Sequence, residues 1–223
     1  MLLQQFKNSP ELIIYWFMIF AFSISVHESA HAYVAYRLGD STAKDKGRIT
    51  IDPLKHLDLL GTIMMLISFI GWAKPVPINS SNFKNKKAGT ILVSLAGPLS
   101  NFILGVFFAI PLAYVSLKYY PLDYSPLSPV VIIYNFAFYG FIMNIALAVF
   151  NFLPLPPLDG SKIFTAVLPS KYYFKISQYH NTAFIILILL SYTGWLDKII
   201  TPVIDGVQSA IFAVIVPIIK LIV

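Results

Sequence analysis

Phe20-Ala-Phe-Ser-Ile-Ser-Val-His27-Glu28-Ser29-Ala30-His31 joins two patterns in one stretch. The first is H-E-x-x-H. Residues four apart share a helix face, so both imidazoles can reach one metal ion, with Glu28 beside it to take a proton from water. The second is apolar continuity, which runs from about Leu12 to Leu38. The common setting for such a motif is a soluble zinc protease. Here its neighbours are Phe20, Phe22, Ile24 and Val26, which suit a bilayer. A charged side chain at the centre of a membrane helix costs about 2.5–3.5 kcal/mol on insertion scales, so such residues mark function.

The composition agrees. Apolar residues make up 57% of the 223 and charged residues 12%, about half the charge of an ordinary soluble domain. Mean hydropathy is +0.75. The chain reads as a multi-pass membrane protein with no separate soluble domain. It has no cysteine, which excludes disulfides and thiolate metal sites and leaves His, Asp and Glu as ligands. The net charge of +6 lies in short loops between apolar segments, where it signals topology rather than nucleic-acid binding. The N-terminal apolar run contains the motif itself and shows no small-residue cleavage site, so it is not read as a signal peptide.

About 20 apolar residues span a bilayer. Five segments reach or approach that length: residues 10–38, 88–117, 129–152, 176–194 and 199–219. A sixth, residues 57–71, is shorter and reads as a partial or re-entrant helix. Lys44, Lys46, Arg48 and Lys55 precede it, and Lys74, Lys84, Lys86 and Lys87 follow it. If it dips in and returns, both groups share one side with Lys162, Lys171 and Lys175. Lys220 follows on that side at the C-terminus, and the opposite side keeps almost nothing beyond Lys7, Lys118 and Lys198. The positive-inside rule favours this arrangement, with the N-terminus outside and the motif towards the cytoplasmic side. Residues 47–52 alternate polar and apolar, and residues 74–78 read as extended with prolines that confine them to an edge. They form either a small sheet beside the membrane or two irregular loops. The expected fold is an all-α multi-pass membrane protein with five or six membrane helical segments and a short membrane-associated β element.

Catalytic zinc takes three protein ligands and water, so His27 and His31 need a third partner. Two acidic residues stand out among the ten: Asp159, after the proline-rich 151–158 stretch, and Asp205, within the last apolar segment. His31 lies seven residues from Leu38, roughly 10 Å below the inner surface. Asp159 follows the inner end of a long helix in the same topology, whereas Asp205 falls near the opposite face. Asp159 is therefore the expected ligand. The prolines break the helix there, and broken backbone within a membrane is tolerated where it lines a polar cavity. His56 and His180 read as interfacial. Ser94, Ala96, Gly97 and Gly105 read as small residues that allow close helix packing.

These motifs identify a resemblance. His27-Glu28-Ser29-Ala30-His31, together with Asn151-Phe-Leu-Pro-Leu-Pro-Pro-Leu-Asp159-Gly160, resembles the paired signature of the site-2 protease family of intramembrane zinc metalloproteases. Gly71-Trp-Ala-Lys-Pro-Val-Pro77 and Ala96-Gly-Pro-Leu-Ser-Asn101 are similar to its compact bacterial and archaeal members, without a PDZ insertion or a regulatory C-terminal domain. The resemblance implies one Zn²⁺ per chain held by His27, His31 and Asp159, with Glu28 as catalytic base and Asn151 against substrate or the oxyanion. It implies a single membrane-embedded protease domain over residues 1–223, with a catalytic core at about 10–168 and further C-terminal helices at about 176–222. The expected partners are the lipid bilayer and a transmembrane protein or peptide substrate, with no nucleic acid. The sequence leaves the oligomeric state open. The alternative function is a membrane metal-binding or transport protein. Transporters also bury ionisable residues, but they usually repeat a structural half, and no repeat is visible here.

Overall fold

The computed structural model describes residues 9–68, 71–119, 121–122, 125–168 and 180–223. Among them the regular structure is helical. In chain order the α-helices are α1 (Leu12–Arg37), α2 (Thr42–Asp45), α3 (Pro53–His56), α4 (Leu59–Ser68), α5 (Lys86–Tyr119), α6 (Pro129–Asn151), α7 (Asp159–Val167), α8 (His180–Tyr192) and α9 (Trp195–Ile219). Four of them, α1, α5, α6 and α9, are long and apolar enough to cross a membrane. The expected five or six are not confirmed among the described residues. There helix α4 has 10 residues and α8 has 13, fewer than the roughly 20 that span a hydrocarbon core about 30 Å thick. Residues 176–179 of the expected fourth segment lie outside the described residues.

Helix α5 is the centre of the bundle, packed against α1, α6, α7 and α9. The core joins Ile19 and Phe20 of α1, Phe108 and Leu112 of α5, Phe141 and Ile145 of α6, and Ile211 and Ile215 of α9. As the sequence suggested, small residues set the spacing. Gly105 lies directly against Ile145, and Gly140 against the Phe108 ring. Large apolar side chains such as Ile103, Phe107, Ile133 and Val214 point outward. A bilayer makes such a surface favourable, because lipid tails are as apolar as the side chains.

The 57–73 segment returns to its starting point. Leu57 pairs with Ala73 in an isolated antiparallel bridge, and Lys74 N–H donates to the His56 carbonyl at 2.8 Å. Between them α4 lies against the returning chain. A Cβ on Gly61 would overlap the Trp72 carbonyl, and one on Gly71 would overlap Met65.

The expected β element is absent among the described residues, where neither 47–52 nor 74–78 forms a strand. Pro75 and Pro77 carry no N–H for a ladder, and the link between the two stretches is a side chain: Arg48 Nη2 donates to the Lys74 carbonyl at 2.6 Å. His56 packs inside this loop system. It is fully buried, its Nε2 donates to the Thr50 carbonyl at 2.8 Å, and burial holds its pKa below the ordinary histidine value.

Helix α1 ends at Gly39, whose φ of 106° suits glycine, and the chain then turns through Asp40. The Asp40 carboxylate is buried and ties three loop pieces together. It accepts from the Thr42 N–H and hydroxyl, from the Asn79 N–H at 2.7 Å and from the Asn82 amide at 2.8 Å. Burial pushes this carboxyl up, but the bonds from Thr42, Asn79 and Asn82 outweigh it and hold it below the usual carboxylate range. A depressed carboxyl stabilises the fold above its unfolded pKa of about 3.9 and loses that contribution as pH falls through the folded value. Asp40→Ala should therefore cost about 1.5–3 kcal/mol near pH 7, the scale of hydrogen bonds to a charged group. The gap between the two melting curves in detergent should hold from pH 7 to 5 and narrow only below about pH 4. A gap that closes already near pH 6 would assign the effect to another group.

Candidate metal centre

Two helices bring the expected ligands together. His27 and His31 lie one turn apart on the buried face of α1, and Asp159 opens α7. Their nearest ligand atoms all lie within 4.8 Å of one another, and all three residues are buried. Asp159 Oδ2 is 3.1 Å from His27 Nε2 and 2.9 Å from His31 Nε2, and the two Nε2 atoms are 3.1 Å apart. The 151–158 stretch delivers Asp159 by leaving the helix after Asn151 and re-entering it at Asp159. Gly160 allows that return, because a Cβ there would overlap the Phe152 and Leu153 carbonyls.

The other ring nitrogens determine what these atoms are. His31 Nδ1 meets the Val93 carbonyl at 2.6 Å, and a carbonyl only accepts, so Nδ1 carries the proton. Val93 lies on α5, five residues before Pro98. His27 Nδ1 meets Asn101 Oδ1. In the neutral rings Nε2 is then a lone pair on both histidines. Two imidazole lone pairs and a carboxylate oxygen thus converge without a proton of their own between them, which is repulsive until a cation sits among them. The donor set fits Zn²⁺, which favours imidazole nitrogen and carboxylate oxygen in a site with an open position.

The surroundings are shaped for the cluster. A Cβ on Gly97 would overlap both Nε2 atoms, so α5 can approach only with glycine there. The Asp159 Oδ1 atom is taken by Lys162 Nζ at 2.9 Å, which leaves Oδ2 facing the histidines. Glu28 is nearly buried, and its Oε2 accepts from Val76 N–H at 2.8 Å. A cavity of about 230 Å³ opens over the cluster, lined by Glu28, Trp72, Pro75, Asn151, Asp159 and Lys162 among others. Asn151 thus faces the same space, with its Nδ2 donating to the Leu147 carbonyl at 3.0 Å. Asp205 is exposed on α9 and is outside the cluster.

Sequence reasoning did not assign Asn101, Gly97, Val76 or Lys162 to the site. Asn101 and Gly97 carried a signal, since both lie in the 96–101 stretch quoted for the resemblance. Val76 contributes only its backbone, which no residue type announces.

A family model described as Peptidase family M50 matches residues 15–191. The chain belongs to peptidase family M50. The site-2 protease resemblance read from its motifs therefore holds. The chain is 38% identical over 191 residues to YwhC of Bacillus subtilis (strain 168), a candidate zinc metalloprotease, with 85% of each chain covered. It is 33% identical over 142 residues to Rip2 of Mycobacterium tuberculosis, also a candidate zinc metalloprotease, covering 62% of this chain and 51% of Rip2. It is 28% identical over 164 residues to a zinc metalloprotease of Methanocaldococcus jannaschii, covering 71% of this chain and 37% of that one. No solved structure gives a significant match.

The Gly97 contact predicts a specific defect. Gly97→Ala should strip bound zinc from the purified protein while leaving the helical circular-dichroism signal in place, because one methyl group displaces the ligand atoms rather than the bundle. Wild-type zinc content in this variant would show that α5 can shift to make room.

Proposed function

We propose that this M50 peptidase hydrolyses peptide bonds within or beside transmembrane segments of other proteins, with zinc held by His27, His31 and Asp159 and with Glu28 as the proton acceptor. The observation that carries this reading is the convergence of three buried ligand atoms beside Glu28 at the floor of one cavity. Zinc bound there supplies the Lewis acidity that polarises a scissile carbonyl and lowers the pKa of water. Val76 N–H holds one Glu28 oxygen and leaves the other for a proton of the attacking water. As the water oxygen bonds the carbonyl carbon and the C–N bond breaks, Glu28 passes that proton to the leaving amine. Asn151 has one amide hydrogen on Leu147 and a second for the developing oxyanion.

A substrate helix hides its peptide bonds and must unwind before attack. Near the cavity, Lys74 N–H and Val76 N–H are already used inward, and Pro75 and Pro77 have none. The 74–78 segment can therefore take an extended peptide by accepting its N–H groups on carbonyl oxygens.

The pairing of Leu57 with Ala73 supports a re-entrant 57–71 segment, so the loops on either side of it share one face of the membrane. By the positive-inside rule that face is cytoplasmic, with the N-terminus outside and the site opening inward.

Two experiments test the reading. Purified protein should cleave a membrane-segment peptide, stop when a chelator removes zinc and recover when zinc is returned. Glu28→Gln should keep its zinc and lose about 10²–10⁴-fold in rate, the usual worth of a general base. Undiminished cleavage by that variant would assign the proton to another group. For topology, the cysteine-free chain permits single-cysteine labelling: Ser41→Cys and Asn85→Cys should react from one side and Ser125→Cys from the other. Reaction of the first two from opposite sides would mean that residues 57–71 cross the membrane.

A further inference from the structure

Behind the metal centre lies a polar chain that the mechanism above does not use. Ser23 of α1, Asn101 of α5 and Asn144 of α6 are fully buried inside an apolar bundle. Asn101 Nδ2 donates to Asn144 Oδ1 at 2.9 Å and to the Ser23 carbonyl at 3.3 Å. Asn144 Nδ2 donates to the Gly140 carbonyl and to Ser23 Oγ, both at 2.8 Å. Asn101 Oδ1 faces His27 Nδ1. Every hydrogen on the two amides has an acceptor.

The direction of this chain is fixed from its far end. A backbone carbonyl can only accept, so the Gly140 carbonyl forces the NH₂ of Asn144 towards itself. Asn144 Oδ1 must then face Asn101, and with the longer bond to the Ser23 carbonyl it orders the Asn101 NH₂ away from His27 and its Oδ1 towards His27. A flipped Asn101 would present NH₂ to His27 and press His27 into the other tautomer, with its proton on the ligand atom Nε2.

We propose that Asn144 is a positioning residue: acting through Asn101, it holds His27 in the Nδ1–H tautomer and keeps the Nε2 lone pair free for the metal. The proposal rests on the reading of His27 as a zinc ligand. Groups that orient metal-binding histidines from behind commonly contribute about 10–100-fold in metal affinity. Asparagine bonds between membrane helices also add packing stability, so the test must separate the two effects.

The separation comes from position 101. Asn101→Leu, similar in size, has no amide to orient, so in that background there is no flip for Asn144 to prevent. Zinc affinity is measured on the full-length protein in detergent by competition with a chromophoric chelator, with the melting temperature of the zinc-free protein recorded alongside. Asn144→Leu, similar in size but without an acceptor, should weaken zinc about 10–100-fold in the wild-type background. In the Asn101→Leu background it should leave zinc affinity at the level of the Asn101→Leu protein, whatever it does to the melting temperature. Asn144→Asp, protonated when buried, can accept from Asn101 and donate to Gly140, and should restore affinity to within a few fold. Where Asn144→Leu does not fold, Asn144→Ala carries the same expectation. Equal losses in the two backgrounds, or no loss in either, would overturn the proposal. A wild-type protein that binds no zinc would instead overturn the assignment of His27.

Discussion

Two hydrogen bonds that never touch a substrate govern this site: His31 Nδ1 to the Val93 carbonyl and His27 Nδ1 to Asn101. In water an imidazole can exchange partners and tautomers at little cost. Inside an apolar bundle it cannot, because a buried polar group without a partner is expensive and the bilayer offers none. Once each Nδ1–H is committed, each Nε2 is a directed lone pair, and Asp159 adds a third. Much else about the bundle follows from making those commitments possible. Helix α5 must present the Val93 carbonyl, glycine at 97 to approach the rings, and Asn101 one turn further along.

The apolar majority of the chain builds a scaffold whose exact sequence is loosely constrained, whereas the polar minority is tightly coupled. Ser23, His27, Asn101 and Asn144 link three membrane helices through side chains that lose their partners together if one helix slides. Lipid-facing apolar contacts alone do not choose a register, since one apolar surface packs nearly as well as the next. A saturated polar chain does choose, because a shift by one residue strands several donors at once.

The parts of this arrangement legible in the sequence were those with a fixed spacing. His27 and His31 announce themselves four apart, and Asp159 was separated from Asp205 by depth along the helices, which the geometry matches. The four long helices were visible as apolar runs. Residues 57–71 were harder, because hydropathy does not show that the chain returns to pair Leu57 with Ala73. The alternation at 47–52 suggested a strand, yet a strand needs a partner with free N–H groups, and Pro75 and Pro77 deny it one. His56 looked like a charged-loop residue because burial created by a distant return of the chain is invisible locally. Asn144 was not singled out at all. Its meaning depends on Asn101 and Ser23, which are distant in sequence and adjacent only after the helices pack.

The loops at 40–56 and 74–82 complete the same logic from the opposite direction. They contain little apolar mass of their own, with Ala43, Val76 and Ile49 packed on Ala32 as their small core. Directed bonds hold them instead: four donors on Asp40, Arg48 on the Lys74 carbonyl, Lys74 N–H on His56 and Val76 N–H on Glu28. The last of these links the loop system to the chemistry. One Glu28 oxygen is held by Val76 N–H, on a segment placed by Arg48 and by the backbone of His56. Glu28 and the two histidines are thus positioned by separate networks, one in the loops beside the bundle and one buried within it, and they meet on a single turn of α1.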